Sequence, residues 1–291
     1  MEIRELRSYL AVAYHENMTR AAEELHMSQS ALSKQVKSLE EELGCKLFER
    51  RGFGISLTEE GRLLSERAAS LVAMADKIEE EFDALDNVTG GTIYFGLAES
   101  FQIKYLAREI KKLKVRCPDL KYHVLSGVSA QVTSLLDTGV IDFAVLAETP
   151  DGAKYESIPF PECDRWGVVM ATGCELAKKD AVTVDELVGL PLFCSDQAWK
   201  NDIPRWAGKR MKKLQRTAGF GLAYNGAVFA REGLGYLLTF DKIVDTSSGS
   251  GLVFRPLSPS LTTKLYFVWK PGRPLTPIVQ KFLAQVREAF S

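Results

Sequence analysis

Hydrophobic positions along the first sixty residues fall in short runs with helical spacing. Leu6, Tyr9, Leu10 and Ala13 recur three or four apart, the stripe of one helix face. His15-Glu16-Asn17 interrupts the stripe, and Thr19 to Leu25 predicts a short second helix capped by Thr19 or Asn17. His26-Met27-Ser28 is a tight connection. A longer helix follows from about Gln29 to Leu43, ended by Gly44, with Leu32, Val36, Leu39 and Leu43 as its apolar face. Leu47 and Phe48 begin a strand, Arg50 to Gly54 reads as a hairpin tip, and Ile55 to Leu57 returns.

From Thr58 to Val88 the chain has no proline and only Gly61 as a glycine. Thr58 with Glu59 and Glu60 starts a helix, the acids lying at the positive end of its dipole. Leu64, Ala68, Leu71, Ala75, Ile78, Phe82 and Leu85 then follow at alternating spacings of 4 and 3. That is an a/d seam, the signature of helices that pair; a helix packed on its own domain drifts toward 3.6.

Thr89-Gly90-Gly91 marks a boundary, after which strands and helices alternate. Thr92–Leu97, Tyr122–Ser126 and Phe143–Ala147 read as strands. A helix carrying Ile103, Leu106, Ala107, Ile110 and Leu113 and one carrying Val132, Leu135 and Leu136 separate them. This order predicts a parallel sheet. A first lobe is expected to stop near Pro159-Phe160-Pro161, and Trp166–Ala171 to open a second. The second lobe predicts strands at Leu192–Cys194, Gly219–Ala223, Tyr236–Phe240 and Val253–Leu257, with helices near Trp199–Leu214 and Gly226–Glu232. Leu265–Lys270 is one more strand, and Val279 to Phe290 lie on a final helix. Two α/β lobes imply a ligand cleft beyond the strand ends.

At 291 residues, 46% hydrophobic and 26% charged, the composition is that of a folded globular chain. No uncharged apolar run nears the roughly 20 residues that span a bilayer. The stretch Tyr9–Tyr14 is too short for a signal-peptide core, so a cytoplasmic protein without membrane association is expected. Five cysteines, widely spaced and without a Cys-x-x-Cys pair, argue against a disulfide framework or structural zinc. The net charge is −1, and the first sixty residues hold eight basic against eleven acidic side chains. Any positive potential toward nucleic acid must therefore be local to one face.

The third helix supplies such a face. Ser30, Ser33, Lys34 and Lys37 fall at i, i+3, i+4 and i+7, opposite the apolar stripe, while Glu40, Glu41 and Glu42 are confined to the far end. Two short helices, a tight turn and a basic hairpin describe a winged helix-turn-helix whose second helix enters the major groove. Gln29 can pair with an adenine edge, and Ser30, Ser33 and Lys34 can donate to bases or phosphates. Lys37, a turn further on, suits phosphate, and Arg50 and Arg51 at the wing suit the flanking backbone or minor groove.

The run from Ala21-Ala22-Glu23-Glu24-Leu25 through Ser28-Gln29-Ser30-Ala31-Leu32-Ser33-Lys34 to Leu43-Gly44 resembles the DNA-binding domain of LysR-type transcriptional regulators. Leu47-Phe48-Glu49-Arg50 and Leu57-Thr58-Glu59-Glu60-Gly61 extend the resemblance, and Gly139-Val140-Ile141-Asp142-Phe143-Ala144 and Gly233-Leu234-Gly235 match weaker marks later in the chain. The resemblance implies a mixed fold. An all-α winged helix-turn-helix (1–58), with Thr19 among its DNA contacts, leads through a linker helix (59–89) to an α/β effector-binding domain (90–291). That domain would be two-lobed, similar to type 2 periplasmic binding proteins, with lobe one at 90–160 and 268–291 and lobe two at 161–267. It implies double-stranded DNA with a partly palindromic, T/A-rich operator, a small-molecule effector in the cleft and RNA polymerase as partners. It also implies a homodimer through the linker and a dimer of dimers. Ser30 stands where the family most often has proline, and Thr239-Phe240 replaces the usual Leu-Pro.

Cleft residues are sought at helix starts and strand ends: Ser100, Phe101, Ser129, Glu148, Ser195 and Asn225. Glu99, Glu148 and Asp196 lean toward a cationic or polyhydroxyl ligand. The basic run Lys209–Arg216 is read as a solvated helix face. A first alternative is redox sensing, on which Cys163 and Cys174 bear because some members of the resembled family sense peroxide through a cysteine pair. The others are an enzyme with an attached DNA-binding module and a periplasmic solute binder. His15, His26 and His123 lie in unrelated places, and there is no P-loop and no Gly-x-Ser-x-Gly, so no catalytic residue, metal or cofactor is expected.

Overall fold

The computed structural model describes residues 1–51, 54–83 and 90–290, and the chain divides into two units, Met1–Ala84 and Leu85–Ser291. The first opens with α1 (Ile3–His15), α2 (Met18–Glu24) and α3 (Gln29–Leu43). The hairpin β1 (Phe48–Arg51) and β2 (Gly54–Leu57) follows, then the long α4 (Glu59–Asp83).

Asn17 caps α2, its Oδ1 accepting from the Thr19 and Arg20 N–H groups at 2.9 and 3.1 Å. Ser28 caps α3 through Ala31 N–H, and Gly44, at φ 70°, ends that helix in a conformation that favours glycine. Between them the chain turns sharply, with Met27 N–H donating to Ala22 O at 2.9 Å. Ala21 and Ala22 are buried and small enough for the helices to meet closely. The α1 stripe is Leu6, Tyr9 and Val12; Leu10 and Ala13 are only half-buried, a shift of one position around the helix. On α3, Leu32, Val36 and Leu39 are buried as expected, but Leu43 is 41% exposed because the final turn runs past the core. The hairpin tip at 52–53 lies outside the described residues, and β1 and β2 pair from Phe48↔Leu57 to Arg51↔Gly54.

Thr58 caps α4 by accepting from Gly61 N–H at 2.9 Å while donating to Lys46 O at 2.7 Å. A side chain at Gly61 would put its Cβ 2.2 Å from Leu47 O, so only glycine lets α4 start against the strand. Tyr9 Oη donates to Gly61 O at 2.5 Å on the same seam, and burial pushes this phenol up to about 12. The apolar seam of α4 then divides. Leu64 and Ala68 join Leu6, Tyr9, Leu39 and Leu47 in the core, as a helix packed on its own domain would, whereas Leu71, Ile78 and Phe82 are 46%, 47% and 69% exposed. Leu85, the last seam position, lies outside the described residues.

The second unit begins with β3 (Gly90–Leu97), α5 (Ile103–Arg116), β4 (Asp119–Ser126), α6 (Ser129–Thr138) and β5 (Phe143–Leu146). The chain continues through β6 (Glu156–Ala171), β7 (Val182–Thr183), β8 (Pro191–Cys194), α7 (Asp196–Lys200), α8 (Asp202–Ala207) and β9 (Gln215–Gly219). It closes with α9 (Ala223–Arg231), β10 (Tyr236–Phe240), β11 (Leu252–Ser258), β12 (Thr262–Trp269) and α10 (Pro277–Phe290). Strands β4-β3-β5 are parallel in lobe one and β9-β8-β10 in lobe two. The sheet is mixed rather than all-parallel, since β12 runs antiparallel to β5 and β6, and β6 antiparallel to β10 and β11.

The chain does not break at Pro159–Pro161. β6 is one continuous strand that pairs with β12 over Glu156–Arg165 and with β10 and β11 over Trp166–Ala171. Over Glu156–Arg165, among the described residues, β6 pairs with β12 alone, an edge position at which proline is tolerated. Gly219–Ala223 is not a strand: β9 ends at Gly219 and α9 starts at Ala223. The expected helix Trp199–Leu214 is broken into α7, α8 and a 3-10 turn at Gly208–Lys213, because Pro204 has no N–H for the Lys200 carbonyl. In lobe one Phe95, Phe143 and Phe267 of the sheet meet Phe282 of α10, which returns the C-terminal helix to that lobe. A second core, built around Trp166, Val168, Leu192, Ile203 and Leu238, fills lobe two. Among the described residues no helix is long and apolar enough to cross a membrane.

Candidate nucleic-acid interface and ligand pocket

Burial of Leu32, Val36 and Leu39 turns the other side of α3 outward. Gln29, Ser30, Lys34 and Lys37 are exposed along that side and Ser33 is half-buried. Thr19, at the start of α2, is exposed as well. Ser30 Oγ lies 3.2 Å from the capping Ser28 Oγ, so its hydroxyl also belongs to the cap. Lys37 Nζ lies 3.4 Å from Glu41 Oε1, and both side chains are exposed. Such a pair is worth only about 0.3–0.5 kcal/mol, so Lys37 can turn to a phosphate at little cost. Arg50 and Arg51 lie on β1 by their backbone, and their side chains lie outside what is described.

Glu40 was grouped by sequence with the solvated acids at the end of α3, yet it is 9% exposed. Its Oε1 accepts from Leu47 N–H at 2.9 Å and Phe48 N–H at 3.4 Å, and its Oε2 from Lys46 Nζ at 2.6 Å. The carboxylate thereby ties α3 to the start of β1. Burial opposes its ionisation, but Lys46 and the two backbone donors together hold the carboxyl below its ordinary range. The signal was the spacing: an acid four residues after Val36 and one after Leu39 lies at the edge of the buried face.

In the second unit the turns after β3, β4, β8 and β9 converge on one hollow of about 690 Å³, counting its open mouth. Ser129 and Ser195, two expected cleft residues, line it together with Glu99, Gln197, Trp166, Phe220, Thr239, Phe240 and Ile243. Ser195 caps α7, accepting from Ala198 N–H at 3.2 Å. Glu99 Oε2 crosses from lobe one to accept Ala223 N–H at the start of α9 at 2.7 Å.

The other four candidates are not among the lining residues. Ser100 Oγ donates to Asp164 Oδ2 at 2.5 Å and accepts from Gln102 N–H at 2.9 Å. Burial raises the Asp164 carboxyl to about 6 against those bonds. Phe101 lies outside the hollow with Lys104 and Lys242 each 5.0 Å from its ring. Glu148 accepts from Asn201 Nδ2 at 3.3 Å, and Asn225 is exposed within the first turn of α9 instead of preceding the helix. Trp166, absent from the expected set, is aimed by a buried relay. Its Nε1–H donates to Thr263 Oγ1 at 2.8 Å, and Thr263 donates to Asp202 Oδ1 at 2.6 Å. Gln197 Nε2 donates to the other oxygen of Asp202 at 3.1 Å. Burial raises the Asp202 carboxyl, with Thr263 acting the other way.

The basic run around Gly208–Lys213 is an exposed turn in which Arg210 pairs with Asp185, and nearby Arg216 pairs with Asp196. All five cysteines are free, Cys163 exposed and Cys117 and Cys194 buried; burial pushes the Cys194 thiol up to about 12. Among the described residues no cluster of His, Cys, Asp and Glu is arranged to hold a metal ion.

A winged helix-turn-helix on one unit and a two-lobed α/β pocket on the other define the class of DNA-binding regulators with a small-molecule domain. Residues 3–62 match the bacterial regulatory helix-turn-helix proteins of the lysR family, and residues 86–291 match the LysR substrate binding domain. The chain belongs to the LysR family. It is 32% identical over 166 residues to the RuBisCO operon transcriptional regulator of Allochromatium vinosum, covering 55% of this chain and 53% of that one. It is 29% identical to the HTH-type transcriptional regulator BsdA of Bacillus subtilis, covering 66% and 65%. The chain thus spans about half to two thirds of those two relatives. With the hydrogen peroxide-inducible genes activator of Pectobacterium carotovorum it shares 30% identity over 281 residues, 89% of this chain and 92% of the other. The fold is similar to that of CbnR, a LysR family transcriptional regulator, at TM-score 0.76, 17% identity and full coverage of both chains.

Replacing Glu40 by Gln keeps an acceptor but removes the charge that holds Lys46 and both N–H groups, a loss of about 1–3 kcal/mol. Because the folded carboxyl is depressed, its contribution is present above the unfolded value and lost as pH falls through the folded one. Amide exchange at Leu47 and Phe48 is expected to quicken in Glu40→Gln at pH 7, and the gap from wild type to close only in acid below the ordinary carboxylate range. A gap that persists unchanged in acid contradicts the assignment.

Proposed function

We propose that this chain is a sequence-specific, DNA-binding transcriptional regulator, cytoplasmic and without catalytic activity, whose DNA affinity is set by a small molecule in the hollow of the second unit. The observation that carries this is α3: three apolar side chains bury one side, and the exposed side offers Gln29, Ser30, Lys34 and Lys37 with half-buried Ser33 between them. Gln29 and Ser33 at the leading end read base edges, Lys34 reads a base or phosphate, and Thr19, Lys37, Arg50 and Arg51 hold the backbone. Residues 1–58 are the reading domain, 59–89 the linker and 90–291 the effector domain. RNA polymerase is the partner at which occupancy is felt. A two-lobed domain joined by paired strands can close on a ligand as rigid halves, and the ligand acts by preferring one arrangement.

A duplex enriched from a random pool by the full chain tests the reading. Gln29→Ala is expected to weaken binding to that duplex by about 1–3 kcal/mol and to relax preference at one base pair. Lys37→Ala is expected to weaken all duplexes alike and to lower the salt slope by about one unit per protomer. Equal loss on selected and random DNA in Gln29→Ala overturns the base-reading role.

The exposed seam Leu71, Ile78 and Phe82 supports a homodimer through α4, itself the building block for a dimer of dimers. Ile78→Glu would bury an unpaired charge in that seam. Sedimentation of the full chain is expected to give an assembled species at micromolar concentration that Ile78→Glu shifts toward monomer. A wild-type monomer, or a variant that assembles as well as wild type, contradicts the seam.

A further inference from the structure

Among the residues lining the hollow, Glu99 alone carries a charge, and the walls around it are Trp166, Phe220, Phe240, Leu237, Leu238 and Ile243. One carboxylate oxygen of Glu99 accepts Ala223 N–H. Three helix starts near the hollow already have acceptors within the chain, while that of α6, at Ser129, has no side-chain cap. Glu99 sits on α9, the Ser195 hydroxyl caps α7, and Ser100 accepts from Gln102 N–H just ahead of α5. Three basic groups near these residues in the sequence have partners elsewhere: Arg165 pairs with Asp241, Arg216 with Asp196 and Cys194 O, and Lys242 lies over the ring of Phe101. A ligand filling the hollow strips water from the open side of Glu99. A carboxylate ligand would add a second negative charge to the same apolar space, while a cation would neutralise the first. Aromatic walls favour the same sign, because ring faces attract cations.

We propose that the ligand of this hollow is a small organic cation, an ammonium group on an apolar or aromatic body, and that Glu99 selects it; this rests on the hollow being the effector site. The ammonium group meets the second oxygen of Glu99, and the body lies against Trp166, Phe220 and Phe240. Because Glu99 also bridges the two lobes through Ala223, ligand charge is read at a point that belongs to both.

The test uses the full chain at neutral pH, with phenethylammonium and 3-phenylpropanoate as probes in titration calorimetry. Phenethylammonium is expected to bind at least tenfold tighter than the carboxylate. Glu99→Gln keeps an acceptor for Ala223 N–H while removing the charge, and is expected to cut cation affinity at least tenfold and to leave or improve carboxylate binding. Gly221→Trp fills the hollow from a position whose added Cβ meets only Val128 at 3.9 Å, and is expected to abolish binding. Carboxylate binding that is tighter in wild type and lost in Gly221→Trp overturns the cation assignment and leaves the effector site standing. Probe binding that survives Gly221→Trp overturns the site as well. Cation affinity unchanged in Glu99→Gln, or no binding of either probe, overturns the proposal.

Discussion

The two lobes of the second unit share one strand pair, and the pocket depends on it. β6 and β12 run antiparallel from Glu156↔Trp269 to Thr262↔Arg165, with one irregularity between Lys264 and Tyr266. Both covalent connections between the lobes are therefore hydrogen-bonded to each other. One side chain beside the hollow and one that lines it are tied to the ribbon. Asp164 holds Ser100 of the first turn in lobe one, and Thr263 passes the hydrogen bond of Trp166 on to Asp202 of lobe two. Two buried carboxylates thus brace the ribbon, each accepting from a hydroxyl, Asp164 from Ser100 and Asp202 from Thr263, with Arg205 also 3.4 Å from Asp202.

In the first unit a comparable constraint sits where β1 begins. Leu47 N–H is bound by Glu40, Leu47 O leaves no room for any side chain at position 61, and Tyr9 reaches across to Gly61 O. Helices α1, α3 and α4 and the β1–β2 hairpin all meet within a few residues of Leu47. The orientation of α3 against the wing is consequently set by backbone contacts and one carboxylate, which leaves its outward side chains available for DNA.

Most of this was legible in the sequence. The three helices, the stop at Gly44 and the hairpin all follow from turn chemistry and spacing, because local rules decide local structure, while the choice of Asn17 over Thr19 as the cap of α2 is settled only in the structure. Where tertiary packing decided, the sequence misled. Glu40 looks like one of three solvated acids, and only the approach of the wing shows that it is buried. The 4-3 repeat of α4 is uniform, but its first positions are taken by the domain's own core, and among its described positions Leu71, Ile78 and Phe82 are exposed. A pair of prolines reads as a break, yet an edge tolerates them within a sixteen-residue strand. In the pocket, Ser129 and Ser195 were found from their places at helix starts. Ser100, with the same local signature, is taken by Asp164, a partner 64 residues away that no local pattern announces. Trp166 is not among the expected cleft residues because an aromatic residue on a strand reads as core, whereas Phe240 is marked only by its departure from the resembled pattern.

Whether α3 enters the major groove is the claim on which the functional account turns, and methylation protection measures it directly. Dimethyl sulfate attacks guanine N7 in the major groove and adenine N3 in the minor groove. On a duplex enriched by the full chain, guanine N7 is expected to be protected within the enriched sequence. A folded Ser33→Ala, Lys34→Ala double variant is expected to lose that protection. Protection confined to adenine N3, or a guanine pattern that the double variant leaves unchanged, would contradict the assignment of α3 as the reading helix.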